Sequence, residues 1–233
     1  MHGRLPSLLP WAISSVVALA GCAETASRMN DVVTRPFRKT PEQELGIKTP
    51  KDRVAELRAL TKRAKRQSLA EQERFVAELA EEIKRENEPW VRREVLRALS
   101  AYPQPAAGAV LVAALGDSDV ETRRVACAGL GVRGDQTAVR ELARVVASDT
   151  NVDVRLAAVG ALGRSGNREA LGPLAEALVD SDPAMQSQAQ RALVAASGRD
   201  FGNNAQAWRE YAQTGNSGTA EVSFAEKLRR TLY

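Results

Sequence analysis

The chain has 233 residues, 44% of them hydrophobic but only 4% aromatic, with 33 Lys or Arg against 29 Asp or Glu, one histidine and two cysteines. The histidine, His2, lies in a segment with the layout of an export signal; once that is removed no imidazole remains, which excludes Ser-His-Asp, Cys-His and zinc-histidine chemistry. Of the cysteines, Cys22 closes the signal and Cys127 stands alone far from it, so no intrachain disulfide is expected.

Residues 1–21 read as a signal peptide: after Arg4 no charge appears until Glu24, and the apolar stretch from Leu5 ends on Leu19-Ala20-Gly21-Cys22. That tetrad resembles the lipobox of bacterial lipoproteins. The resemblance implies cleavage before Cys22, a diacylglycerol on its thiol and an acyl chain such as palmitate on the new amino terminus. Two or three acyl chains, at about 0.8 kcal/mol per buried methylene, make a permanent membrane anchor. Ala23, rather than aspartate, follows the cysteine, so the outer-membrane periplasmic face is favoured over the inner membrane in a diderm cell.

Residues 22–50 carry the lipidated cysteine and a flexible linker with Pro36, Pro41 and Pro50. A leading helix follows, with Val54, Leu57, Leu60 and Ala64 on one stripe. Ser68 and Glu71 then offer a capping box for the next helix. From there the chain repeats: Leu99, Leu130, Leu162 and Leu193 recur at spacings of 31, 32 and 31 residues. Seven residues before each leucine stand Arg92, Arg123, Arg155 and Gln186; six before those stand Glu86, Asp117, Asp149 and Asp180. Such a period marks stacked helical pairs, each burying its apolar face against its neighbours. The first helix of each unit carries an i, i+4 apolar pair, such as Leu111 with Leu115, and the second carries the leucine.

Four units result, at roughly 69–102, 106–134, 137–166 and 169–198. Asp117-Ser-Asp119, Asp149-Thr-Asn151 and Asp180-Ser-Asp182 are turns and N-caps between helices, and Gly131 to Gly134 and Gly163 to Gly166 close the units. Small residues at Ala98, Gly129, Ala161 and Ala192 permit close helix approach. Cys127 shares the register of Leu96 and Val159 and reads as a small core residue. Phe201, Trp208 and Tyr211 belong to a terminal cap.

These features resemble the HEAT-repeat family, in the short variant also seen in phycobilisome-lyase-like repeats. The resemblance implies an all-α, short right-handed α-solenoid over residues 51–200, with C-terminal capping helices and tail over 201–233. It also implies a structural ladder in which Glu86 with Arg92, Asp117 with Arg123 and Asp149 with Arg155 tie adjacent repeats together. Gly129, Gly131 and Gly134 fit G-x-G-x-x-G, but at a helix end rather than between strand and helix, so no nucleotide cofactor is expected. No other cofactor, metal site or catalytic residue is read from the chain.

Residues 23–66 hold 12 Lys or Arg against 6 Asp or Glu, while residues 102–200 hold 10 against 12. Basicity therefore lies beside the lipid and not on the repeats, which argues against nucleic acid as a partner. Arg58, Lys62, Arg63, Lys65 and Arg66 form a solvated face or one that touches anionic headgroups. The expected function is a membrane-anchored scaffold for a protein partner of the cell envelope. Arg93, Arg97, Arg124 and Arg191, outside the apolar register, are its candidate binding residues. The alternatives are a chromophore-lyase-like or other enzyme of the HEAT-like class, or a purely structural subunit of an envelope complex.

Overall fold

The computed structural model describes residues 49–63 and 66–215. The signal segment with Cys22, most of the linker, Ala64, Lys65 and the tail from residue 216 lie outside the described residues, and with them the expectations of cleavage, lipidation and a flexible linker. The described chain from Pro50 onward belongs to one compact unit. Among the described residues all regular structure is helical: α1 (Pro50–Arg63), α2 (Leu69–Glu82), α3 (Pro89–Leu99), α4 (Pro105–Ala113), α5 (Val120–Arg133), α6 (Gln136–Ser148), α7 (Val152–Arg164), α8 (Leu171–Ala177), α9 (Pro183–Ser197) and α10 (Ala205–Thr214). A 3-10 turn extends α4 over Ala114–Gly116 and another leads into α8 over Arg168–Ala170.

The helices alternate between two layers. α1, α3, α5, α7 and α9 pack side by side as one layer; α2, α4, α6, α8 and α10 follow one another in the second, and each later helix of the first layer leans on the second-layer helix before it. This is an α-solenoid of HEAT-like helical pairs. It is offset by half a unit at both ends: α1 is a first-layer helix that no described second-layer helix precedes, and α10 is a second-layer helix packed along α8. Phe201, Trp208 and Tyr211 meet edge to face, with centroids 4.7 Å apart for Phe201 and Trp208 and 5.5 Å for Phe201 and Tyr211, and close the second layer's end.

Local chemistry sets where each helix begins. Ser68 and Glu71 form the capping box of α2; Asp119, Asp135, Asn151 and Asp182 each accept a backbone N–H at the start of α5, α6, α7 and α9. Each such cap is worth about 1 kcal/mol. The leucine of every unit is fully buried, and so is Cys127. The core runs along the solenoid, with Leu57, Val76, Leu79, Val95 and Leu99 at its N-terminal end and a longer cluster from Leu96 to Trp208.

First-layer helices approach so closely that a side chain does not fit between them. A Cβ on Gly131 would lie 2.9 Å from the Ala161 backbone, and one on Gly163 would lie 2.7 Å from Ala192 Cβ. In the second layer, by contrast, an open groove of about 530 Å³ separates parts of α4 and α6. Spacing is thus tighter in the layer that holds α3, α5, α7 and α9, called the inner layer below, than in the other. No helix among the described residues is long and apolar enough to cross a membrane.

A pair of identical substitutions tests this spacing. Gly131→Ala forces a methyl into the Ala161 backbone and should destabilise the protein by about 1–3 kcal/mol. Gly172→Ala, on α8 where a Cβ meets nothing within 4 Å, should stabilise it by about 0.5 kcal/mol. Urea unfolding of both variants reads the sign directly.

Candidate functional site

Ties between repeats come first, because they decide which side chains are left for anything else. Arg92 donates through Nε and Nη2 to the Asp117 carboxylate at 2.8 and 2.7 Å, and Arg123 does the same to Asp149 at 2.9 and 3.2 Å. Each arginine thus grips the carboxylate of the following unit, 25 or 26 residues on. Toward the acid of its own unit, six residues back, it reaches only the backbone: Arg123 Nη1 donates to the Asp117 carbonyl at 2.9 Å, Arg155 Nη1 to the Asp149 carbonyl at 3.0 Å, and Arg92 Nη1 to the Glu86 carbonyl at 3.4 Å.

The pairs read from the sequence are therefore bound differently from the expectation. Glu86 with Arg92, Asp117 with Arg123 and Asp149 with Arg155 meet by carbonyl, while the charged contact skips to the next repeat. Bidentate fork geometry needs a carboxylate face-on, which a residue in the same turn does not present. The ladder also fades at both ends. Glu86 uses its carboxylate on the Glu88 N–H at 2.7 Å, and Arg155 forms no ion pair with Asp180 among the described residues. Gln186 keeps only the carbonyl bond, Nε2 to Asp180 O at 2.7 Å.

Asp149 shows the balance of forces. Burial works against its charged form, but the Arg123 hydrogen bond, the Asn151 N–H and the arginine charges together hold its pKa below the usual carboxylate range. Asp119 is held low first by the Thr122 hydroxyl, which with the Thr122 N–H outweighs desolvation, and then by Arg93. Glu94 is held low chiefly by Arg58, which donates to it at 2.7 and 3.2 Å and ties α1 to α3.

Arg133 is a second tie that the repeat pattern did not reveal. Its guanidinium, 12% exposed, donates to the carbonyls of Tyr102 at 3.1 Å, Pro103 at 3.3 Å and Gln104 at 3.4 Å, and so closes the α3–α4 turn from the next unit. One unit later Asn167 Nδ2 takes the corresponding place, on the Gly134 carbonyl at 3.1 Å. Two different residue types do one job, so no repeating letter marks it.

The inner face is what remains open. Positions six before, two before and two after each leucine lie outside the core column and are exposed or part-exposed, except that Gly160 is buried and Leu156 packs against the core. On α3 they are Arg93, Arg97 and Ala101; on α5, Arg124, Ala128 and Val132; on α7, Leu156, Gly160 and Arg164; on α9, Ser187, Arg191 and Ala195. Arg93 is half-buried and donates to the α5 cap, Asp119, at 2.8 Å, so it belongs to the ties. Arg97, Arg124 and Arg191 are exposed and reach only Glu94, Glu121 and Gln188 on their own helices. The exposed Arg124–Glu121 pair is worth roughly 0–1 kcal/mol and breaks readily for a better partner, while Arg97 shares the buried Glu94 with Arg58. Between those arginines lie small or apolar residues, and Val132 is 70% exposed. The structure does not bring the four arginines into one cluster; it spreads them along a shallow apolar strip.

Cys127 lies under this face, fully buried. Burial, and then the Asp149 carboxylate, push its thiol up to about 12. At neutral pH it is a packed methyl-sized group and not a nucleophile. Among the described residues no group of three or more His, Cys, Asp or Glu could hold a metal ion.

Residues 108–194 match the family model for HEAT repeats, a stretch from within α4 to within α9 that contains the Arg123–Asp149 clamp and the Asp117 half of the other. The match supports a HEAT-repeat protein, and repeats of this kind commonly serve as protein-interaction scaffolds. A comparison with curated proteins finds no match to the chain.

Two outcomes follow from these contacts. Arg123→Ala leaves the part-exposed Asp149 carboxylate with the Asn151 N–H alone and should cost about 2 kcal/mol, whereas Arg155→Ala, which loses one carbonyl bond, should cost about 1 kcal/mol. Because Asp149 and Asp119 have lowered pKa values in the folded state, the stability they add is fully present above about pH 4 and is lost as pH falls through those values. Chemical denaturation of wild type from pH 6 to pH 2 should show that loss, and Arg123→Ala should flatten it. A maleimide should label Cys127 only after the protein is unfolded in urea.

Proposed function

We propose that the protein is an exported lipoprotein, anchored through Cys22, that holds a protein partner of the cell envelope on the inner face of its solenoid. The observation that carries this reading is the inner face itself. The leucine column and the small-residue column before it keep one kind of residue in all four units, while the outward columns change from arginine to alanine, glycine, leucine or serine. Core packing does not require that change.

A partner with carboxylates spaced along an apolar ridge would meet Arg97, Arg124 and Arg191 at its edges and Ala128, Val132 and Leu156 beneath it. Apolar area on α5 and α7 supplies contact at about 25 cal/mol per Å², and the arginines supply orientation and encounter rate. Four units offer room for an interface of about 800 Å² per partner. The reading assigns the protein no chemistry of its own, in keeping with the buried thiol of Cys127. Export and anchoring rest on the Leu19-Ala20-Gly21-Cys22 tetrad alone.

Two arms test the two halves separately. Cys22→Ser should move the protein from the membrane fraction to a form that no longer partitions into detergent; retention in the membrane would sink the anchor. A photo-crosslinking side chain at Ala128 of the otherwise native, envelope-located protein should trap one stoichiometric protein, lost when Arg97, Arg124 and Arg191 are all changed to Glu. Trapping that is absent, or unchanged by the reversal, would sink the inner face as the binding surface.

A further inference from the structure

α1 carries cations that no contact of the solenoid uses. Along the repeats, exposed cations such as Arg74, Lys84, Arg124, Arg144 and Arg209 are each held by a glutamate. At the N-terminal end the carboxylates are engaged already, Glu56 and Glu82 by Arg53 and Glu94 by Arg58 and Arg97. Lys51, Lys62, Arg63 and Arg66 are exposed and have no ion-pair partner among the described residues.

The cations of the helix share one side of it. Lys51, Ala55, Arg58 and Lys62, spaced four, three and four residues apart, fall on one line about 16 Å long. Ala59 and Arg63 lie beside that line, and all of these residues are exposed, while Val54 and Leu57 are buried on the opposite side. Folding accounts for only part of this arrangement. Lys62 and Arg63, in the last turn, complement the helix dipole, but Lys51 stands in the first turn, where the dipole disfavours a cation. Arg58 and Lys62 are four apart, a spacing at which like charges destabilise a helix.

We infer that this face of α1 docks on a membrane surface of anionic lipid. A headgroup layer is flat and diffusely negative, which suits a straight row of cations separated by alanines and set in no cleft. Lysine stems reach phosphates without a fixed geometry. Single-stranded nucleic acid asks for stacking side chains as well, and Pro50–Arg63 has no aromatic residue. Because Arg58 is shared with Glu94, the contact falls to Lys51, Lys62, Arg63 and Arg66. The inference goes beyond the lipid anchor, since these charges bind without an acyl chain.

The chain from residue 22 onward, carrying Cys22→Ser so that no acyl chain forms, separates this contact from the anchor. At about 0.1 M salt it should bind vesicles of phosphatidylcholine with about one quarter phosphatidylglycerol at least tenfold more tightly than vesicles of phosphatidylcholine alone, and about 0.5 M salt should erase the difference. Each cation near such a surface adds about fivefold, so Lys51→Glu, Lys62→Glu and Arg63→Glu together should remove the preference. Arg140→Glu, Arg144→Glu and Arg164→Glu, at exposed positions of α6 and α7, change the net charge equally and should leave it in place. Equal binding to the two kinds of vesicle, which would point to an acidic protein as the occupant, would overturn the proposal. So would a preference that survives the α1 reversal or is lost equally in the α6 and α7 reversal.

Discussion

The arginine of one repeat and the aspartate of the next meet across a gap that chain connectivity does not close, and the geometry of the solenoid depends on that contact. Asp149 is a three-way junction. Its carboxylate accepts from the Asn151 N–H at 2.8 Å, which shapes the turn before α7, and from Arg123 of the previous unit; its carbonyl accepts from Arg155 of its own. Asp117 makes the same three bonds to Asp119, Arg92 and Arg123. A shift of one repeat against another by a single helical residue, about 1.5 Å, would break both forks. The clamp is thereby a register device more than a source of stability, since a buried ion pair roughly offsets its own desolvation. Stability comes from the leucine column, at about 1.5–3 kcal/mol for each side chain buried.

Close approach of the inner helices is the second half of the same constraint. At the α5–α7 junction the Arg123 fork holds at 2.9 and 3.2 Å where Gly131 carries no side chain at its contact with Ala161. Polar clamp and glycine contact there sit at opposite ends of α5, seven residues before the leucine and one after it. Together they fix the spacing at two points, and two points set an angle. The other junctions depart from this plan: Arg58 with Glu94 joins α1 to α3 by a salt bridge near the middle of both helices, α3–α5 has the Arg92 fork with Ser100 in the place of the glycine, and α7–α9 has Gly163 against Ala192 without a fork.

Much of this was legible in the sequence because it repeats. The leucine period, the Asp and Asn caps, the burial of Cys127 and the aromatic cap each follow from one residue type at one spacing. The direction of the arginine ladder was not legible, since a fixed interval to an acid in the same unit is an equally fixed interval to the acid in the next. Side-chain reach decides between them, and reach is a property of the packed pair. Arg133 and Asn167 escaped because two chemistries solve one problem at neighbouring positions. The place of α1 in the inner layer escaped because layer membership is set by what a helix packs on, and α1 has the apolar stripe of either layer. Of the candidate binding residues, Arg93 also donates to a carboxylate at the start of the next helix, a contact that a helical wheel does not show.

A solenoid held this way separates two kinds of position that compact folds mix. Core columns and clamp residues answer to the neighbouring repeat, so their identities largely recur; outward positions such as Ala128, Val132 and Ala195 are exposed and are not held to one residue type by packing. At two residues before the leucine the protein places Arg97, Ala128, Gly160 and Arg191 in succession, and two after it Ala101, Val132, Arg164 and Ala195. An exposed valine adds nothing to the stability of a helix that solvent already covers, and a polar residue there would be better for solubility. Its presence at the centre of a strip bounded by arginines is a departure from what folding asks. Such departures are where a binding requirement is read. Because each unit contacts only its neighbours, the strip can vary without disturbing the clamps beneath it, and an inner face of this composition is the part of the molecule free to be shaped by a partner.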